Sequence, residues 1–219
     1  MERAVLVILP HPDDESFGLG GTIALHARAG TPVTYVCGTL GEMGRNMGNP
    51  FFATRETLSK VREKELREAC RILGIKDLRL LGLRDKTIEF EDPNQIADQL
   101  KKIIIEINPS LIMTHYPGHG VHPDHDALGA ATILAVSKLP KESRPTVHCH
   151  AITRNRIEVL GEPDVVVDIR EVLDIKMAAL RAHRSQTENM FKKWDHDPNA
   201  KSQLTERWSR EVFWTYRFE

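Results

Sequence analysis

Five short apolar runs, at 4–9, 32–37, 78–81, 110–115 and 145–152, alternate with helix-length segments at 18–29, 55–73, 93–107 and 126–138. No other feature constrains the fold of this chain as much. A run such as Ala4-Val5-Leu6-Val7-Ile8-Leu9 reads as a buried strand. The alternation is that of an α/β fold: a Rossmann-like, mainly parallel sheet flanked by helices. The helix from about Thr54 to Leu73 is the clearest. Leu58, Val61, Leu66, Ala69, Cys70 and Leu73 form a broad apolar stripe opposite charged residues, and Gly74 is placed to end it. After Arg170 a further helix-like run reaches about Arg184 and passes into a polar stretch, and Glu211 to Phe218 alternates as a last, edge strand. A chain of 219 residues can bury one ordinary core, and no repeat, low-complexity tract or linker divides it, so residues 1–219 are expected to form a single domain.

With 30 basic against 31 acidic side chains, nothing draws the chain as a whole toward nucleic acid or an anionic membrane, and a small-molecule partner is expected. The longest apolar stretches fall well short of the roughly 18 residues of a membrane span, and Met1-Glu2-Arg3-Ala4 leads into a strand rather than a signal-peptide pattern. The expected location is cytoplasmic. Cys37, Cys70 and Cys149 are odd in number and contain no C-x-x-C pair, which argues against a disulfide framework and a thiolate zinc site. Residues 38–52 carry four glycines and two asparagines and end in Phe51-Phe52, the composition of a long flexible loop that serves equally as a lid or as plain surface.

Chemistry concentrates at two strand ends. Pro10-His11-Pro12-Asp13-Asp14-Glu15 follows the first run, and His122-Pro123-Asp124-His125 lies shortly after Ser110-Leu111-Ile112-Met113-Thr114-His115. In the common doubly wound plan these two strands lie side by side where the sheet reverses direction, and their loops meet over the crevice. That would gather His11, Asp13, Asp14, His122, Asp124 and His125 into one cluster. A catalytic zinc takes three protein ligands and keeps a fourth position for water, so this cluster has groups to spare for acid–base work. Taken singly, Asp13 and Asp14 read equally well as helix-capping or turn residues. His-Pro-Asp occurring twice, each time after a strand, favours the site.

These two motifs resemble those of the LmbE-like, or PIG-L-like, zinc-dependent N-acetylglucosamine deacetylases. The resemblance extends to Arg62 and Glu65, Leu73-Gly74, Leu81-Gly82-Leu83-Arg84-Asp85 and His183-Arg184-Ser185-Gln186. The stretch from Gly41 to Phe52 and Arg84-Asp85-Lys86-Thr87 resemble most the bacillithiol-biosynthesis branch found in bacilli. The resemblance implies that His11, Asp14 and His125 bind the metal and that Asp13 is the general base. It implies that a charged His122 stabilises the tetrahedral intermediate with Asp124 tuning it, and that Arg62 and Asp85 contribute to sugar recognition. The implied cofactor is Zn²⁺, although a His₂Asp site also accepts Fe²⁺, Co²⁺ or Mn²⁺.

The implied reaction is hydrolysis of the N-acetyl group of an N-acetylglucosamine conjugate, N-acetylglucosaminyl malate in this branch, releasing acetate and the amino sugar. The two malate carboxylates call for guanidinium partners, and Arg45, Arg55 and Arg84 lie in suitable segments. Relatives often form homo-oligomers. Some that act on inositol-linked sugars carry tyrosine where this chain has Gly120. His115, which ends a strand, reads as structural or as a supporting residue behind the metal ligands, and His183 as a late-helix residue that can reach the site. Alternatives are an amidase of bacillithiol S-conjugates, a deacetylase of another N-acetyl sugar such as a chitin disaccharide, or a non-catalytic metal- or sugar-binding module. A dinucleotide site is disfavoured: Gly18-Leu19-Gly20-Gly21 lacks the G-x-G-x-x-G spacing, and Cys37-Gly38-Thr39 lacks the ribose-binding acid. Those glycines are expected instead to let the first helix approach the metal loop.

Overall fold

The structure is a computed structural model that describes residues 2–196, 206 and 208–218. Its strands are β1 (Val5–Leu9), β2 (Val33–Cys37), β3 (Asp77–Leu80), β4 (Leu111–His115), β5 (Thr146–His150), β6 (Val165–Asp168) and β7 (Arg210–Thr215). They form one sheet in the order β3-β2-β1-β4-β5-β7-β6, parallel from β3 to β5, with β7 antiparallel to both neighbours. The chain is therefore an α/β protein with a mostly parallel sheet.

The helices are α1 (Asp14–Gly18), α2 (Gly20–Arg28), α3 (Leu58–Leu73), α4 (Pro93–Ile107), α5 (Pro123–Ser137), α6 (Arg156–Leu160), α7 (Leu173–Ala182) and α8 (Arg184–His196). Alternate residues of β1 feed two cores, which explains why the run is apolar throughout. Val5, Val7 and Leu9 pack with Leu66 and Leu73 of α3 and Ala179 of α7. Leu6 and Ile8 pack with Ile96 and Leu100 of α4 and Leu128 and Val136 of α5. Local chemistry sets the ends of α4: the Asp92 side chain accepts from Asn94 N, Pro93 occupies the first turn, and Asn108 closes the helix in the left-handed region.

Several expectations need correction. The final strand is internal, because β6, absent from the sequence reading, pairs with it from Val165↔Phe213 to Asp168↔Arg210 and takes the edge. Val165-Val166-Val167 is too short a run to stand out until a partner strand is known. The segment expected as one helix over 18–29 is broken at Leu19 and begins at Asp14, and the helix expected at 126–138 begins at Pro123. Both metal-type motifs thus run into helix N-termini. The run expected to reach Arg184 breaks at His183, and α8 forms from residues read as polar; the part of that stretch at 197–205 lies outside the described residues. At Gly21 a Cβ would lie 2.3 Å from Ile169 Cδ1, so this glycine admits the segment before α7 rather than the metal loop. Among the described residues no helix is long and apolar enough to cross a membrane.

Candidate active site

β1 pairs with β2 on one side and β4 on the other, so the loops after β1 and β4 converge at the point where the sheet reverses. The loop after β1 is anchored through its carbonyls. Tyr35 Oη donates to His11 O at 3.1 Å, Thr39 Oγ1 donates to Pro10 O at 2.9 Å, and Arg62 Nη2 donates to Pro12 O. Neither Tyr35 nor Thr39 carries a sequence signal, because each acts through a hydroxyl on an otherwise apolar or loop segment. Backbone strain gathers here. Of the four non-glycine residues with positive φ among the described residues, Asp13 (103°), Lys86 (66°) and Val121 (58°) flank the cluster. Such outliers concentrate at functional sites, and Val121 is costly because it is β-branched.

Three donor atoms face one another. His11 Nδ1 and His125 Nε2 are 3.1 Å apart, Asp14 Oδ2 is 3.4 Å from His11 Nδ1, and Asp14 Oδ1 is 3.3 Å from His125 Nε2. A tetrahedral site with bonds of roughly 2.0–2.2 Å separates its donors by roughly 3.3–3.6 Å. The tautomers agree. His125 Nδ1 lies 2.7 Å from Gly120 O, a partner that can only accept, so Nδ1 carries the hydrogen and Nε2 presents its lone pair. His11 Nε2 lies 3.1 Å from Asp124 Oδ2 and 3.3 Å from Asp85 Oδ1, which leaves His11 Nδ1 bare in the neutral ring. Two lone pairs and a carboxylate converging on one point suit a bound cation, so His11, Asp14 and His125 fit a divalent metal.

The surroundings are acidic. Despite burial, Asp124, Asp14 and Asp85 hold His11 well above the usual imidazole range. Burial opposes ionisation of Asp14, but His125 and His11 hold it well below the usual carboxylate range. Burial pushes Asp13 up to about 6 against the lowering effect of Arg62, whose Nη2 sits 3.1 Å from Asp13 Oδ2. His115 lies under the site, 2% exposed, its ring stacked on His125 at 4.0 Å and 4°.

Three of the residues expected in catalysis or sugar recognition are engaged within the chain itself. The Asp124 carboxylate is fully buried and accepts from Lys86 N at 2.7 Å, Ile88 N at 3.1 Å and His11 Nε2. Only the backbone N–H of Asp124 engages His122, donating to Nδ1 at 3.1 Å. His122 is lowered, not raised: burial, then the neighbouring His11 and His125, outweigh Asp124. Its neutral form therefore carries hydrogen on Nε2, not the two hydrogens of the charged ring. Arg62 is buried, with its guanidinium committed to Pro12 O, Gly41 O and Asp13. Asp85 faces His11 and accepts from Met43 N at 2.8 Å.

The loop 38–52 is more tightly bound than its composition suggests. Arg62 holds Gly41 O, Arg55 Nη1 donates to Glu42 O and Gly44 O, and Asn49 Nδ2 donates to Asn189 Oδ1. Arg55 is thus occupied, while Arg45 and Arg84 are exposed. Gly120 has no room for a tyrosine on this backbone, since its Cβ would fall 2.4 Å from His125 Cβ. A cleft of about 710 Å³ opens beside His122, lined by Ile88, Glu89, Val121, Pro123 and Asp126 among others.

Residues 6–136 match the family described as PIG-L: GlcNAc-PI de-N-acetylase. Over 219 residues, all of this chain and 99% of the relative, the sequence is 58% identical to a Bacillus subtilis (strain 168) protein named "Probable N-acetyl-alpha-D-glucosaminyl L-malate deacetylase 2". The structure is similar to N,N'-diacetylchitobiose deacetylase from Pyrococcus horikoshii, with TM-score 0.77 and 27% identity, covering 98% of this chain and 84% of the other. It also resembles GalB, a 4-carboxy-2-hydroxymuconate hydratase from Pseudomonas putida KT2440. There the TM-score is 0.73 at 20% identity, covering 97% and 93%, which bears on the fold alone.

Proposed function

We propose, from the premise that this chain belongs to the PIG-L family, that this deacetylase hydrolyses the N-acetyl group of N-acetyl-α-D-glucosaminyl L-malate, with a divalent cation, zinc foremost, held by His11, Asp14 and His125. The observation that carries the reading is the convergence of two imidazole lone pairs and a carboxylate within 3.1–3.4 Å of one another. Bound there, the cation supplies Lewis-acid polarisation of the amide carbonyl and a more acidic water.

The remaining chemistry belongs to the chain. Asp13 takes the proton of the attacking water and delivers it to the departing amine, and a carboxyl pushed up to about 6 is suited to both transfers. Arg62 fixes Asp13 Oδ2. His122 caps α5 with Nδ1 occupied, which leaves Nε2–H to donate to the oxygen that gains negative charge in the tetrahedral intermediate. Asp124 and Asp85 orient His11, and Arg84, exposed beside Asp85, is the proposed partner of a malate carboxylate. The naming of the Bacillus relative supports the malate glycoside, the substrate expected in bacillithiol biosynthesis.

The test is acetate release from N-acetylglucosaminyl malate, free N-acetylglucosamine and a bacillithiol S-conjugate, using protein of assayed metal content. Chelator-sensitive turnover of the malate glycoside in strong preference to the others is expected. Preference for either other compound refutes the substrate, and absence of turnover by fully metallated protein refutes the catalytic reading.

A further inference from the structure

Asp13 is held at φ 103° and ψ −26°, a conformation that an L-residue keeps only where its surroundings over-determine it. The backbone N–H of Asp13 donates to Glu15 Oε2 at 3.0 Å. Glu15 is fully buried, and its other oxygen is gripped twice: Ser16 Oγ donates to Oε1 at 2.5 Å, and His183 Nε2 lies 2.6 Å from the same atom. No lysine or arginine pairs with this carboxylate among the described residues. His183, also fully buried, sits at the break between α7 and α8. Two residues on, Ser185 N and Oγ both donate to Glu65 at 2.6 Å, one helical turn from Arg62 on α3. The α7–α8 junction thus engages α1 and α3 together, behind the residue whose carboxylate Arg62 holds from the front.

We propose that His183 is a positioning residue for deacetylation, holding the backbone of Asp13 through Glu15 so that the Asp13 carboxylate meets the water it deprotonates. The inference rests on the reading of Asp13 as the base. It gives Glu15 and His183 a purpose in the reaction although neither need touch substrate: a buried carboxylate and a buried imidazole, brought together from opposite ends of the chain, set one strained peptide. Removing the Nε2 donor frees Glu15 to turn toward Ser16 alone and releases Asp13 from its conformation. A displacement of about 1 Å at a reacting group can cost on the order of 100-fold in rate.

The experiment measures kcat, KM and bound metal for His183→Gln and His183→Asn, each alone and combined with Asp13→Asn. Glutamine sets an amide N–H near the position of Nε2, whereas asparagine sets it near Nδ1 and leaves Glu15 out of reach. His183→Gln is expected to keep most of the wild-type kcat. His183→Asn is expected to lower kcat about 10- to 100-fold with KM and metal content unchanged, and to add no further loss in the Asp13→Asn background. The proposal is overturned if folded, metal-loaded His183→Asn keeps wild-type kcat, or if its loss is equally large without Asp13, as a purely structural role requires. It is also overturned if His183→Gln is as impaired as His183→Asn. Wild-type kcat in Asp13→Asn alone would overturn the base reading, which separates the two failures.

Discussion

Replacing Asp124 with asparagine removes one negative charge and almost no volume, yet the geometry leaves the amide no good orientation. Oδ2 accepts from Lys86 N and His11 Nε2, while Oδ1 accepts from Ile88 N. If the amide oxygen takes the Oδ2 position, the NH₂ group faces the Ile88 N–H. If it takes the Oδ1 position, the NH₂ group faces both Lys86 N–H and His11 Nε2, leaving Asp85 alone to hold the Nε2 hydrogen that keeps the Nδ1 lone pair free for the metal. Losing one charge-assisted hydrogen bond in a fully buried place costs ~1.5–3 kcal/mol of stability. Disturbing a group that orients a metal ligand typically costs roughly 10- to 100-fold in metal affinity, or about 1.4–2.8 kcal/mol. The assay is a competition titration with a chromophoric chelator, paired with kcat at saturating metal. Weakened metal binding is expected, with most of kcat recovered when metal is in excess. Unchanged metal affinity with a large loss of kcat would refute this reasoning and return Asp124 to the role of tuning His122.

Three further outcomes concern the site and a fourth a buried charge elsewhere. His122→Ala is expected to keep its metal and lose roughly 10²–10³ in kcat, and unchanged kcat in that variant would remove His122 from oxyanion stabilisation. His125→Ala should lose metal and activity together, as measured by elemental analysis of the purified protein. Because nearby carboxylates raise His11 and His125 against burial, protons compete with the cation, so apparent metal affinity should fall on acidification; a pH-independent affinity would contradict the ligand set. Away from the site, Glu211 accepts from Gly21 N, Thr22 N and Thr22 Oγ1 and pairs with buried Lys176 at 2.6 Å. Glu211→Ala should cost ~3–5 kcal/mol, lowering Tm by roughly 6–20 °C with little change in KM, and a Tm shift below ~2 °C would contradict it.

The sheet class, the clearest helices and the two His-Pro-Asp motifs at strand ends were legible in the sequence, because those rest on local signals. Burial on both faces of β1 requires an unbroken apolar run, α4 carries its own caps, and His-Pro-Asp can be read without knowing its neighbours. Even the meeting of the two loops was legible, since β1 and β4 are adjacent in the commonest order for such a sheet. Which partners each charged group meets depends on contacts made across the fold. β6 became an edge strand only by pairing with β7, which follows it by more than forty residues. Asp124 was expected to tune its neighbour His122, but the turn of α5 aims its carboxylate at His11 and at the backbone of residues 86 and 88. Arg62 and Asp85, expected to contribute to sugar recognition, also bond to chain atoms that lie far from them in sequence. A side chain's partners depend on distances across the fold, and no local pattern records that His183 and Glu15, 168 residues apart, meet at 2.6 Å behind Asp13.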